Sequence, residues 1–145
     1  MREIEGDIWD FHKAGFFIVI PTNGFVKNDG ECVMGRGLAY EAKRRFPDLP
    51  LELGKRIREY GNVVFVFVKY RIITFPVKYN WYEKADMDLI RRSAIGLREM
   101  FRFNLIGMPT PVYLPKVGCG NGKLNWFEVR AMLEMLLNDD FIVVR

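Results

Sequence analysis

Histidine and cysteine, the side chains most used for nucleophilic and metal chemistry, are nearly absent. The 145 residues hold one histidine, His12, and two cysteines, Cys32 and Cys119. No Cys-x-x-Cys pair occurs, and each cysteine sits in a glycine-rich stretch, so the ligand spacing of a zinc site is missing. A catalytic dyad that needs histidine is excluded unless His12 lies beside a cysteine. No apolar run reaches transmembrane length. The first eight residues carry acids where a secretory leader would carry a positive segment and an apolar core. The phosphate-loop pattern Gly-x-x-x-x-Gly-Lys-Ser/Thr is also missing, and no acidic pair suggests magnesium-dependent phosphoryl transfer. These absences lead us to expect a cytoplasmic protein with no metal, no cofactor and no membrane partner. No repeat, low-complexity tract or linker divides residues 1–145, which are expected to form a single domain.

What is present is ordinary globular composition, half of it hydrophobic, with a formal charge of +4. That excess suits an anionic ligand such as a nucleotide or nucleic acid. It is spread over several segments, and Arg44–Arg45 and Arg91–Arg92 read as solvated helix faces.

The stretch that organises the rest runs from Gly30 to Phe46. Phe16–Pro21 ahead of it is an apolar, β-branched run that predicts a buried strand. Gly35 and Gly37 then give a turn that can approach a ligand closely, and Leu38, Ala39, Ala42 and Phe46 predict one apolar helix face. Strand, glycine loop and helix in that order place main-chain donors at a helix N-terminus, where an anion is favoured. A second unit of the same order follows later. Pro111–Pro115 predicts a strand, Lys116–Lys123 holds Gly118, Gly120 and Gly122, and Asn125 with Glu128 has the form of a capping box for a helix to Leu137. Two such loops can hold two phosphates. A glycine loop that merely turns the chain is the plain alternative for either one.

The remaining elements are predicted from periodicity and turn signals. A strand runs over Arg2–Ile8, and a helix ends at Tyr60 with Leu53, Ile57 and Tyr60 inward. Val63–Val68 predicts a strand buried on both faces, because it lacks polar alternation. It can pair as a hairpin with Arg71–Pro76. A helix over Asp86–Arg102 carries the stripe Met87, Ile90, Ala94, Leu97 and Phe101, and a link follows over 104–110. Phe141–Val144 is a last strand. On pattern alone, Asp7 is a turn residue bonding its own backbone. Lys78 is likewise a solvated strand-end lysine on pattern alone. The functional alternative for Lys78 is an amine among aromatics, its charged form disfavoured, available as nucleophile or base.

The order Gly6-Asp7-Ile8, a strand ending near Asn23, Val33-Met-Gly-Arg-Gly-Leu-Ala39 and Gly118-Cys-Gly-Asn-Gly122 resembles the macrodomain over nearly the whole chain. Phe75-Pro-Val-Lys78, Trp81, Asp86–Ile90, and Pro115 through Trp126 are similar to the DNA ADP-ribosyl glycohydrolase (DarG-type) branch. The resemblance implies a three-layer α/β/α fold with a mixed central sheet and a cleft for ADP-ribose. By position, Asp7 would bond the adenine amino group and Ile8 would add a main-chain contact. Gly118, Cys119, Gly120, Asn121 and Gly122 would wrap the diphosphate. Asn23, Cys32, Val33, Met34, Gly35, Arg36 and Gly37 would surround the distal ribose, with Lys78 catalytic near its anomeric carbon.

The implied reaction removes ADP-ribose from thymidine in single-stranded DNA. The partners implied are an ADP-ribosylated substrate, single-stranded DNA and a separate ADP-ribosyltransferase toxin, with this chain acting as a monomer. A protein-deribosylating branch places an aspartate where Gly122 stands here. Three rivals remain: a non-catalytic ADP-ribose reader, an ADP-ribose 1″-phosphate phosphatase, and a nucleic-acid binder that uses charge alone.

Overall fold

A computed structural model describes residues 1–104 and 107–145. Its centre is a six-stranded sheet in the order β1-β6-β5-β2-β4-β3, formed by Arg2–Ile4 (β1), Ile18–Thr22 (β2), Phe65–Phe67 (β3), Ile72–Pro76 (β4), Val112–Leu114 (β5) and Phe141–Val144 (β6). All neighbouring pairs are parallel except β3 with β4, so the sheet is mixed. Side chains alternate across it with period two. Ile18, Ile20, Ile72, Tyr113, Ile142 and Val144 face one layer of helices: Ile8–Lys13 (α1), Gly37–Arg45 (α2) and Leu49–Tyr60 (α3). Val19, Ile73, Phe75, Val112, Leu114, Phe141 and Val143 face the other layer, Met87–Phe103 (α4) and Trp126–Glu134 (α5). The architecture is three-layered, as expected. Burial on both faces explains why β2, β4, β5 and β6 read as continuous apolar runs.

The structure departs from the expectations at several points. The expected first strand stops at Ile4, and Asp7 caps a helix instead, its Oδ1 accepting from the Trp9 N–H at 2.9 Å. Trp9 and Ile8 then fall on the inner side of α1 and are buried. The Val63–Val68 run is not buried on both faces. It forms a three-residue edge strand paired with β4, and Val63 and Val68 at its ends are 49% and 52% exposed. A 3₁₀ turn over Val68–Tyr70, followed by Arg71 at φ 54°, closes the expected hairpin. Tyr60 points outward, and α5 ends at Glu134, short of Leu137. Asn125 caps its helix as expected, accepting from the Phe127 N–H, and Asp86 caps α4, accepting from the Leu89 N–H. The expected link over 104–110 includes 105 and 106, which lie outside the described residues.

Because β2, β4, β5 and β6 run parallel, their C-terminal ends share one edge of the sheet. Both glycine loops leave from that edge, β2 leading to the first and β5 to the second. This is where open α/β sheets hold ligands.

Candidate functional site

A cavity of about 830 Å³ opens at that edge, a size suited to a nucleotide-scale ligand. Pro21, Thr22 and Asn23 at the end of β2 line it, as do Val77, Lys78 and Trp81 after β4. Val33 to Ala39 form one wall and Pro115, Lys116 and Gly118 to Gly122 the opposite one. Val144 and Arg145 close the end beside the N-terminal segment. That segment is stitched on by Gly6 N–H to the Arg145 carbonyl at 3.2 Å and Arg145 N–H to the Ile4 carbonyl at 3.0 Å.

Both walls present main-chain donors. In the first loop, Val33 N–H is spent on the Phe25 carbonyl, while the N–H groups of Met34, Gly35 and Arg36 meet no protein acceptor among the described residues. Arg36 is the N-cap of α2 without a side-chain cap, so the first-turn amides of this helix also meet no protein acceptor among the described residues. In the second loop the glycine carbonyls are taken up by main-chain amides. Gly118 O accepts from Leu124 N–H, and Gly120 O from Lys123 N–H, both at 3.0 Å, and Gly122 O accepts from Ala85 N–H at 3.0 Å. The N–H groups of Gly118, Gly120, Asn121 and Gly122 meet no protein acceptor among the described residues. Two facing sets of such donors favour anionic oxygens.

Two glycines here are dictated by contact. Gly118 has φ +76°, and a Cβ on it would stand 2.6 Å from Ile90 Cδ1. A Cβ on Gly122 would stand 2.4 Å from the Gly118 carbonyl oxygen and 2.7 Å from Ala85 Cβ. No side chain fits at 122, aspartate included, while the loop keeps this path.

Lys78 reaches across the cavity mouth. Its Nζ donates to the Asn121 carbonyl at 3.3 Å and to the Trp81 carbonyl at 3.4 Å. Partial burial pushes its pKa down, and the guanidinium of Arg36 and the ammonium of Lys123 push it further the same way. No carboxylate forms an ion pair with it among the described residues.

The two cysteines fall in different places. Cys119 lines the cavity, and burial raises its pKa. Cys32 is 1% exposed behind the wall, its Sγ 3.5 Å from the Asn23 carbonyl oxygen. Burial pushes its pKa up to about 12, so it is a packed thiol and not a nucleophile. His12, 7% exposed, packs edge-on against Trp9 and Phe46, with Nε2 at 2.7 Å from the Tyr70 carbonyl oxygen. It lies beside neither cysteine in these contacts, which leaves the lysine as the reactive candidate.

Of the residues singled out from sequence, Asn23, Val33, Met34, Gly35, Arg36, Gly37, Lys78, Gly118, Cys119, Gly120, Asn121 and Gly122 come together around the cavity. Asp7, Ile8 and Cys32 are not in its lining. Asn23 is largely committed to bracing, with Nδ2 donating to the Val33 carbonyl and Oδ1 accepting from Phe25 N–H, both at 2.9 Å.

One participant was not legible in the sequence. Asn62, just before β3, donates from Nδ2 to the Lys78 carbonyl at 3.0 Å, and its Oδ1 is buried without a partner among the described residues. Gly24 makes room for it, since a Cβ there would lie 2.7 Å from Asn62 Cγ. An Asn after a helix-ending Gly61 looks like turn chemistry, and the only other trace is the glycine at position 24.

No family model matches the chain. Individual proteins do. The chain is 32% identical over 134 residues to a DNA ADP-ribosyl glycohydrolase of Mycobacterium tuberculosis, a match covering 84% of this chain and 37% of that protein. The solved macrodomain of Thermus aquaticus DarG superposes with a TM-score of 0.76 at 27% identity, covering 99% of this chain and 95% of that one. The macrodomain of Mycobacterium tuberculosis DarG gives 0.77 at 25%, with the same coverage. The chain belongs to the macrodomain family. Both of these structural neighbours are DarG macrodomains, so the resemblance is to the DarG type. This macrodomain spans only about a third of the curated relative, 37% of its length. Among the described residues, no helix is long and apolar enough to cross a membrane. No group of three or more His, Cys, Asp or Glu among them could hold a metal ion.

Proposed function

We propose that this macrodomain binds ADP-ribose in the cavity and removes it from a modified target, with thymidine-linked ADP-ribose on single-stranded DNA as the substrate and Lys78 as the catalytic group. The observation that carries the reading is the placement of the Lys78 amine between two walls of unpartnered main-chain donors, with its charged form disfavoured. The DNA ADP-ribosyl glycohydrolase name of the curated relative supports the substrate.

In this reading the diphosphate lies between the loop Gly118–Gly122 and the first turn of α2, and its charge is met by N–H groups. The adenosine end lies toward Val144 and Arg145, where Asp7 keeps its Oδ2 available for the adenine amino group and Ile8 adds its main chain. The distal ribose then sits against Asn23 and Val33–Gly37, with Cys32 supporting that wall from behind.

Lys78 in its neutral form attacks the anomeric carbon. The carbon–Nζ bond forms as the bond to the acceptor atom breaks, and that atom takes one of the two Nζ protons as it leaves. The remaining Nζ proton passes to the ring oxygen as the bond from that oxygen to the anomeric carbon opens, which gives an imine and a free hydroxyl. Water adds to the imine, releases ADP-ribose and regenerates the amine. The two carbonyls that accept from Nζ can serve an ammonium as well as an amine, which supports a second role in which charged Lys78 stabilises the leaving group instead.

Borohydride separates the two. Reduction during turnover leaves a covalent ADP-ribose adduct on Lys78, visible by mass, if the imine forms. Full turnover with no adduct assigns the electrostatic role. Retained ADP-ribose binding with no release from any modified thymidine makes the chain a reader.

A further inference from the structure

Beside Lys78 the chain exposes three aromatic rings within four residues. Tyr79, Trp81 and Tyr82 are 43%, 48% and 66% exposed, and Trp81 and Tyr82 stand edge to face at 5.3 Å. Large rings grouped on a surface are informative in a way that a single one is not. The segment is held in place, since Glu83 accepts from Asn80 N–H at 2.7 Å, Asp86 N–H reaches the Val77 carbonyl at 2.8 Å and Tyr79 O accepts from Gly24 N–H at 3.1 Å. Its rings are therefore presented by a fixed turn. Trp81 lines the cavity, and its carbonyl accepts from Lys78 Nζ, so its ring borders the place where a leaving group would emerge.

Two cations, unpaired among the described residues, stand beside it. Arg36 and Lys123 are close enough to act on Lys78, both are exposed, and neither has an ion-pair partner among the described residues. The one acid in the turn, Glu83, is engaged by the Asn80 amide. Stacking faces combined with unpaired cations are the chemistry of single-stranded nucleic-acid binding, where the ring takes a base and the cation a phosphate. A protein acceptor carrying an acidic side chain would use the cations but would leave the aromatic turn without a role.

We propose that the Trp81–Tyr82 turn, with Arg36 and Lys123, is an acceptor subsite that stacks a base of a single strand and holds an adjoining phosphate beside the ADP-ribose cavity. The proposal rests on the ADP-ribose reading of that cavity. It adds that the strand is gripped by this chain and not presented to it by ADP-ribose alone.

Two measurements decide it. The first is quenching of tryptophan fluorescence by unmodified oligothymidine, with Trp81→Phe used to remove the reporting indole while Trp9 and Trp126 remain. Quenching in the wild type that disappears in Trp81→Phe and weakens as salt is raised is the expected result. The second is KM for release of ADP-ribose from a thymidine-modified single-stranded oligonucleotide. Trp81→Ala raises it about tenfold or more, and Trp81→Phe, which still stacks, keeps it within about threefold. Absence of quenching in the wild type, or an unchanged KM in Trp81→Ala, overturns the subsite. Quenching without any release by the wild type upholds the subsite and removes the glycohydrolase reading instead.

Discussion

Lys78 lies two residues beyond the last residue of β4, and its position depends on a side chain sixteen residues earlier in the chain. The Asn62 amide holds the Lys78 carbonyl, and Gly24 leaves the space for it. Asn62→Ala removes that bond together with the orphaned Oδ1, so its effect on stability is small, about 1 kcal/mol or less. Its effect on the reaction is larger. A looser lysine loses orientation, and kcat is expected to fall about tenfold while the Kd for ADP-ribose is kept. Single-turnover kinetics beside calorimetric titration check this, and an unchanged kcat would remove Asn62 from the account. Lys78 was singled out as a candidate through the family resemblance, because on pattern alone it reads as a solvated strand-end lysine. Asn62 was not, because its role arises from a contact between loops that no local spacing encodes. Asp7 shows the converse. Its plain reading as a residue bonding its own backbone describes what one carboxylate oxygen does at the start of α1.

At the scale of elements, the two strand–loop–helix units were readable because buried strand, glycine loop and helix follow one another in each. The second loop is the tighter. Its path over Gly118–Gly122 is held by two carbonyls bonded within the loop and a third bonded to Ala85 N–H, while four of its amides meet no protein acceptor among the described residues. Gly122→Ala places a methyl against the Gly118 carbonyl and Ala85, so the loop must open. ADP-ribose affinity is expected to drop at least about tenfold, with a fold stability loss of about 1–3 kcal/mol. Calorimetry and denaturant unfolding measure the two. Wild-type affinity in this variant would mean that the loop does not hold the diphosphate. The elements that misled were those governed by neighbours. Val63–Val68 has the composition of a central strand, yet its place at the sheet edge, paired only with β4, exposes both ends. The short α1 was hidden because only Glu5 and Gly6 separate the strand from the capping Asp7.

At the scale of the whole molecule, parallel pairing brings five strand ends to one edge, and this pairing, absent from any local pattern, makes one site out of two loops. The same packing fixes His12. It is buried among Trp9, Phe46 and Tyr70 and linked to β4 through Arg71, whose guanidinium donates to the His12 carbonyl at 3.0 Å. Burial lowers its pKa below the ordinary 6.5, with the charges of Arg71 and Arg45 acting the same way and the Tyr70 hydrogen bond opposing them. The unfolded chain thus takes up a proton at higher pH than the folded one. Stability from this group is complete above about pH 6.5 and is lost as pH falls from there through the folded pKa. Melting temperatures across that range are expected to fall in the wild type more than in His12→Phe. Parallel pH dependence in the two would contradict the assignment.

The central claim is that Lys78 in this cavity removes ADP-ribose from DNA. Release of free ADP-ribose from a thymidine-modified single-stranded oligonucleotide, measured for wild type and Lys78→Ala, tests it most directly. The account predicts turnover by the wild type and a loss of at least about a hundredfold in the variant with ADP-ribose binding retained. Equal release by both proteins, or none by the wild type, would contradict it.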